Sequence, residues 1–156
     1  METSDSDIYD ICVVLGGNMD YRKIQSDRIE DLWELQLLYK AEIGEDIPKE
    51  EEKERLVSAM DGGQILFFGA WDEAELVGCC SVTPGFSTFN FQKSGVFEDF
   101  YIRPAYRHRH IARELVQYAY VNSGVCSLTV GCADCDLPMY RALGFAIDLG
   151  NLLAFE

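Results

Sequence analysis

The sequence predicts a mixed α/β or α+β protein, a sheet with helices packed against it. Three observations predict it. Apolar residues recur at helical spacing in two early segments and one late one. Strand-like apolar runs crowd the stretch between Ile65 and Ile102. The resulting order (strand, two helices, several strands, helix, strand, helix, strands) fits neither a helical bundle nor a β-sandwich. A chain of 156 residues, 48% hydrophobic and 26% charged, is sized for one domain with a core that needs no disulfide or metal.

Residues 1–18 read as an N-terminal extension: an acidic stretch, then Ile11-Cys-Val-Val-Leu15, then Gly16-Gly17 as a joint. An added strand or an oligomer contact are both open for it. The domain then covers 19–156. Asp20 to Gln25 is a first strand. Ser26 suits a helix N-cap, with Asp27, Glu30 and Asp31 in the first turns and Ile29, Leu32, Leu35 and Tyr39 at helical spacing. A second helix runs from Pro48 to Met60, because proline is tolerated at the first helical position. Ile65 to Trp71 and Leu76 to Val82 are strands, and Asp72-Glu-Ala-Glu75 between them signals a hairpin. Phe86 to Gln92 is a loop or short strand, and Val96 to Ile102 a strand stopped by Pro104. A helix over 109–122 follows, with Gly124 just past its end. Cys126 to Val130 is a strand and Leu137 to Leu143 a short helix. Ala146 to Leu149 and Leu152 to Phe155 read as closing strands.

The charge of −14 is unevenly placed: residues 1–99 carry 22 acids and 8 bases, while 100–156 carry 5 of each. Such a field repels nucleic acid and attracts cations, or simply keeps the chain soluble. No apolar run is long enough to span a bilayer, and the first residues are acidic where a secretory leader is basic, so a cytoplasmic location is expected. Of six cysteines, Cys79 and Cys80 sit in an apolar run as small hydrophobes, and Cys132-Ala-Asp-Cys135 lacks the second pair that a zinc site needs. His108 and His110 with Glu114 likewise lack a third strong ligand, so no metal is expected.

One window departs from this acidity. Arg103-Pro-Ala-Tyr-Arg-His-Arg-His-Ile-Ala-Arg113 holds four arginines, both histidines and no carboxylate, where a strand gives way to a helix. Helix N-termini bind phosphates, so the window reads as an anion site for a phosphate-bearing cofactor.

Phe100 to Ala112 resembles the cofactor motif of the GNAT acetyltransferases, in which a strand ending in V-x-P-x-x-R runs into R-x-x-G-x-G/A at a helix start. Tyr140-Arg-Ala-Leu-Gly-Phe145, about thirty residues on, resembles that family's second signature, Y-x-x-x-G-F. The resemblance implies a mostly antiparallel central sheet flanked by helices, and an N-acetyltransferase that uses acetyl-CoA as cosubstrate. It implies that the backbone of Arg107, His108, Arg109, His110, Ile111 and Ala112 cradles the pyrophosphate. The pantetheine arm would run beside Phe100, Tyr101 and Ile102, and one of Arg103, Arg109 and Arg113 would meet the remaining phosphate. His110 stands where the family usually has glycine, and His108 where it often does. The asparagine common before the last helix is absent from Gly131 to Asp136.

By the same resemblance, Tyr140 is the general acid that protonates the leaving thiolate. Glu98 and Asp99 are the candidate bases. Strand alternation lets only one of them face the cleft, with Glu98 the favoured one. A backbone N–H near Tyr101 or Ile102 would meet the oxyanion. The acidic early helices point to a cationic amine acceptor, such as a polyamine, an aminoglycoside-like compound or a lysine-bearing peptide. The partners expected are acetyl-CoA, that amine and a second copy of the chain as a homodimer, with neither nucleic acid nor membrane. The alternative is a non-catalytic acyl-CoA-binding or sensory domain that keeps the fold.

Overall fold

The computed structural model describes residues 19–155; the apolar run Ile11–Leu15, the Gly16-Gly17 joint and Cys12 lie outside them. A five-stranded sheet runs in sequence order. Its strands are β1 (Met19–Ile24), β2 (Leu66–Asp72), β3 (Glu75–Ser87), β4 (Gln92–Ile102) and β5 (Leu128–Thr129). The first three pairings are antiparallel, and β4 and β5 pair in parallel.

Helices α1 (Ile29–Glu42) and α2 (Glu50–Asp61) cover one face. There Leu32 and Leu35 are buried with Ile24, Phe67, Trp71, Cys79 and Tyr101, and Leu56 and Met60 pack on them. Helices α3 (Ile111–Asn122) and α4 (Leu137–Leu143) cover the other face. Ile111, Leu115, Val116 and Ala119 are buried there with Phe68, Val77, Cys80, Val82, Phe97 and Ile102. Both layers follow from the helical spacing of those residues. Removing about 25 cal/mol per Å² of apolar surface from water drives the packing.

Several elements differ from the sequence reading. Ser26 opens a single 3-10 turn, Ser26–Arg28, and its hydroxyl donates to Asp61 Oδ1 instead of capping α1. The second helix starts at Glu50, where the Lys49 N–H donates to Glu52 Oε2. The hairpin at Asp72–Glu75 is present. However, β3 and β4 extend far past Val82 and before Val96, staying in register to Ser87 and Gln92, so the expected loop or short strand over 86–92 narrows to a turn at 88–91. Pro84 and Gly85 hide that extension from a propensity reading. Strand β5 shrinks to Leu128–Thr129. The closing strands are not formed: residues 146–155 have no regular structure, and Ile147, Leu149, Leu152, Leu153 and Phe155 are exposed. Alternating apolar residues need a partner strand, and a two-residue β5 offers almost no ladder.

Candidate active site

The shortness of β5 shapes the site. It meets β4 only at Gly95–Leu128 and Val96–Thr129, so the edge of β4 beyond Val96 is left open. Gly95 marks the point of divergence, where a Cβ would come within 2.6 Å of Val82 and 3.0 Å of Leu128. Near the end of β4, the Arg103 N–H donates to Val77 C=O at 2.8 Å. By alternation the Tyr101 amide also turns toward β3, while that of Ile102 faces the open edge. Of the two expected oxyanion donors, the geometry therefore favours Ile102.

A bulge at the middle of β4 decides where the carboxylates go. Ser81 pairs with Glu98 and Cys79 with Tyr101, so β4 holds one more residue than β3 across this step. Asp99 sits there at φ 51°. Phe97 and Phe100 both pack on the α3 face, while Tyr101 packs under α1. The two residues between the phenylalanines are thus both turned toward α1. This corrects the expectation that only one of Glu98 and Asp99 faces the cleft, since alternation fails at a bulge. Glu98 is exposed. The Asp99 carboxylate is pinned by the buried Ser81 hydroxyl, which donates to it at 2.7 Å.

Tyr140 stands on α4, half-buried against Phe97, Phe100 and Phe145, with ring centroids 5.9–6.5 Å away. Burial pushes its phenol up to about 12, with Tyr39, Asp136 and Cys132 adding to the rise. Tyr39, on the last turn of α1, is raised first by burial, then by the charges of Asp99, Glu45 and Glu98. These side chains therefore share one region above the end of β4. The sequence reading counted Tyr39 only as a core position. Nothing short of the fold places it beside residues sixty and a hundred positions away.

The basic window forms the turn into α3. The first bond of the helix is Glu114 N–H to His110 C=O at 3.2 Å, which among the described residues leaves the amides from His108 to Arg113 free, while that of Arg107 donates to Pro104 C=O at 3.3 Å. His108 and His110 adopt φ 63° and 65°, the left-handed region that glycine enters most easily. Ala112 adds only a methyl group. The arginines divide. Arg107 Nε donates to Ile102 C=O at 2.8 Å and its terminal nitrogen grips both Glu42 oxygens at 2.7 and 2.9 Å. Arg103 donates to Leu76 C=O and Glu34, each at 3.0 Å, so its guanidinium is already engaged. Arg109 lies over the Tyr106 ring and Arg113 is exposed. Glu114 accepts from the Tyr21 hydroxyl. Among the described residues no helix is long and apolar enough to cross a membrane.

An open strand edge beside a helix start with free amides defines a site for a ligand with a diphosphate and an extended arm. The sequence pattern of the "Acetyltransferase (GNAT) domain" matches residues 63–147. The chain belongs to this family, and it is an acetyl-CoA-dependent N-acetyltransferase. No curated protein matches it. Among solved structures, a similar fold occurs in the aminoglycoside acetyltransferase meta-AAC0020 from an uncultured soil metagenomic sample, in complex with sisomicin. That match has a TM-score of 0.74 and 14% identity, over 88% of this chain and 95% of that one. A predicted acetyltransferase with acetyl-CoA from Clostridium acetobutylicum gives 0.69 and 17%, over 88% and 96%. Glucosamine-6-phosphate N-acetyltransferase from Arabidopsis thaliana gives 0.66 and 16%, over 88% and 97%.

The residues present fit acetyl-CoA. The free amides, the small Ala112 and the absence of any carboxylate from Arg103 to Arg113 suit a diphosphate.

Proposed function

We propose that this enzyme transfers the acetyl group directly to a primary amine that carries positive charge, a polyamine-like small molecule or a lysine side chain. The observation that carries this reading is the β4 bulge, which turns Glu98 and Asp99 together toward α1. Two carboxylates beside Glu45 favour an ammonium over a neutral or anionic acceptor.

In this reading the backbone of Arg107, His108, Arg109, His110, Ile111 and Ala112 holds the diphosphate, with Arg109 or Arg113 for the remaining phosphate. The arm follows the β4 edge at Phe100, Tyr101 and Ile102, where the Ile102 N–H is aimed to polarise the acetyl carbonyl. Glu98, exposed and free of the Ser81 bond, takes a proton from the ammonium, and Asp99 anchors the amine. Tyr140 gives its proton to the departing thiolate; burial keeps that proton in place across the working range. Residues 19–156 act as one domain, in solution alone or as a homodimer. A reducing, cytoplasmic setting suits free Cys79 and Cys80.

The test is coenzyme A release over an amine panel: spermidine, a lysine-bearing peptide, an aminoglycoside and a neutral amino acid. The cationic amines should give the highest kcat/KM. Preference for the amino acid would sink the charge argument.

A further inference from the structure

We propose that Tyr39 is an additional acceptor-site residue, its hydroxyl holding the incoming amine against the Glu98–Asp99 pair. This rests on the acetyl-transfer reading above and adds a residue to that same site.

The ring of Tyr39 is fixed. It lies 6.3 Å from that of Tyr101, the second residue after the bulge. One turn further along α1, Glu42 grips Arg107, so the end of the helix is tied to the end of β4. The hydroxyl, by contrast, is uncommitted. Tyr21, Tyr106 and Tyr120 place theirs on Glu114, Asp72 and the Cys126 carbonyl. Those of Tyr39 and Tyr140 meet no partner among the described residues. A half-buried phenol whose hydroxyl reaches solvent and is claimed by no side chain, in a field of carboxylates from two elements, is open to a ligand.

The charges facing Tyr39 are Asp99 and Glu98 from β4 and Glu45 from the α1–α2 connection, with the Lys40 ammonium 5.6 Å over its ring. Burial first, and then these acids, raise the phenol, so it stays a proton donor. A phenol has one proton to give and lone pairs to accept. It donates to a carboxylate while its oxygen accepts an N–H from the ammonium, and the amine is held on both sides. No bond is made or broken at Tyr39; it orients.

The experiment compares wild type, Tyr39→Phe and Tyr39→Leu on the amine panel, with spermidine as the reference probe. Both variants should raise KM for the amine about tenfold, as the loss of a hydrogen bond to a charged group does. KM for acetyl-CoA and the melting shift with coenzyme A should stay unchanged. A purely structural role predicts a different pattern: phenylalanine, which keeps the ring on Tyr101, behaves as wild type, and only leucine is impaired. That pattern overturns the proposal, as does an equal loss of acetyl-CoA affinity. A wild type inert toward every amine removes both this proposal and the reading beneath it. A wild type that turns over an amine as well as Tyr39→Phe does removes this one alone.

Discussion

The turn into α3 and the face under α1 are built in opposite ways. The turn works through its backbone. Its useful groups are the amides that any helix start leaves free, supplied by residues 108–113 in unbroken sequence. The α1 face works through side chains gathered from three places, Tyr39, Ser81 and the Glu98–Asp99 step, with Tyr140 on α4 beyond them on the other side of the sheet. The turn needs a local conformation, which two histidines are held in at φ 63° and 65°. The face needs a register, since one extra residue in β4 decides that both acids turn the same way. A region of the first kind tolerates side-chain change, and one of the second kind does not.

Tyr140→Phe breaks this contrast most strongly. It removes the proposed proton donor and nothing else from the aromatic cluster, since the ring contacts with Phe97, Phe100 and Phe145 persist. A positioned general acid contributes about 10²- to 10⁴-fold, so kcat should fall by at least about a hundredfold. The melting shift with acetyl-CoA should remain, because the turn is untouched. The pH profile gives the sign. A phenol raised to about 12 keeps its proton at every pH below that, so Tyr140 produces no alkaline limb in kcat/KM between pH 6 and 10. An alkaline fall near pH 9 in wild type, absent from the variant, would contradict that placement.

The same contrast explains what was legible in the sequence. The turn is contiguous, and its charge stands out against an acidic chain, so Arg107 to Ala112 and Tyr140 could be singled out from the string alone. The role of Arg103 could not, because Glu34 and the Leu76 carbonyl reach it from distant positions. The bulge was invisible as well: Glu98 and Asp99 look like ordinary alternating strand residues, and only the pairing with β3 exposes the extra one. Tyr39 was hidden in the helical period of α1, where an aromatic residue reads as core. The alternating tail after Gly144 misled in the other direction. Its pattern has the period of a strand, but a two-residue β5 gives it nothing to pair with.

Glu42→Ala tests the seam between the two regions. The carboxylate joins the end of α1 to Arg107, which also bonds the Ile102 carbonyl at the end of β4. Both partners are well exposed, at 36% and 46%, so solvent screens the pair and about 0.2–1 kcal/mol is at stake. KM for the amine and affinity for acetyl-CoA should both weaken, by no more than about fivefold. An effect confined to acetyl-CoA would mean that α1 is held without this link.

His110→Gly has the smallest expected effect and probes the turn alone. A residue with a Cβ costs roughly 1–2 kcal/mol in the left-handed region, though histidine visits it more readily than most. Glycine removes that strain but gives the unfolded chain more freedom, by roughly 0.5–1 kcal/mol. The net gain is then about 0.5 kcal/mol, a rise in melting temperature of about 1–2 °C by differential scanning fluorimetry. Acetyl-CoA affinity should hold or improve, since the amides keep their directions and lose a bulky neighbour. If affinity falls instead, the imidazole itself touches phosphate, and the turn then depends on its side chains as the α1 face does.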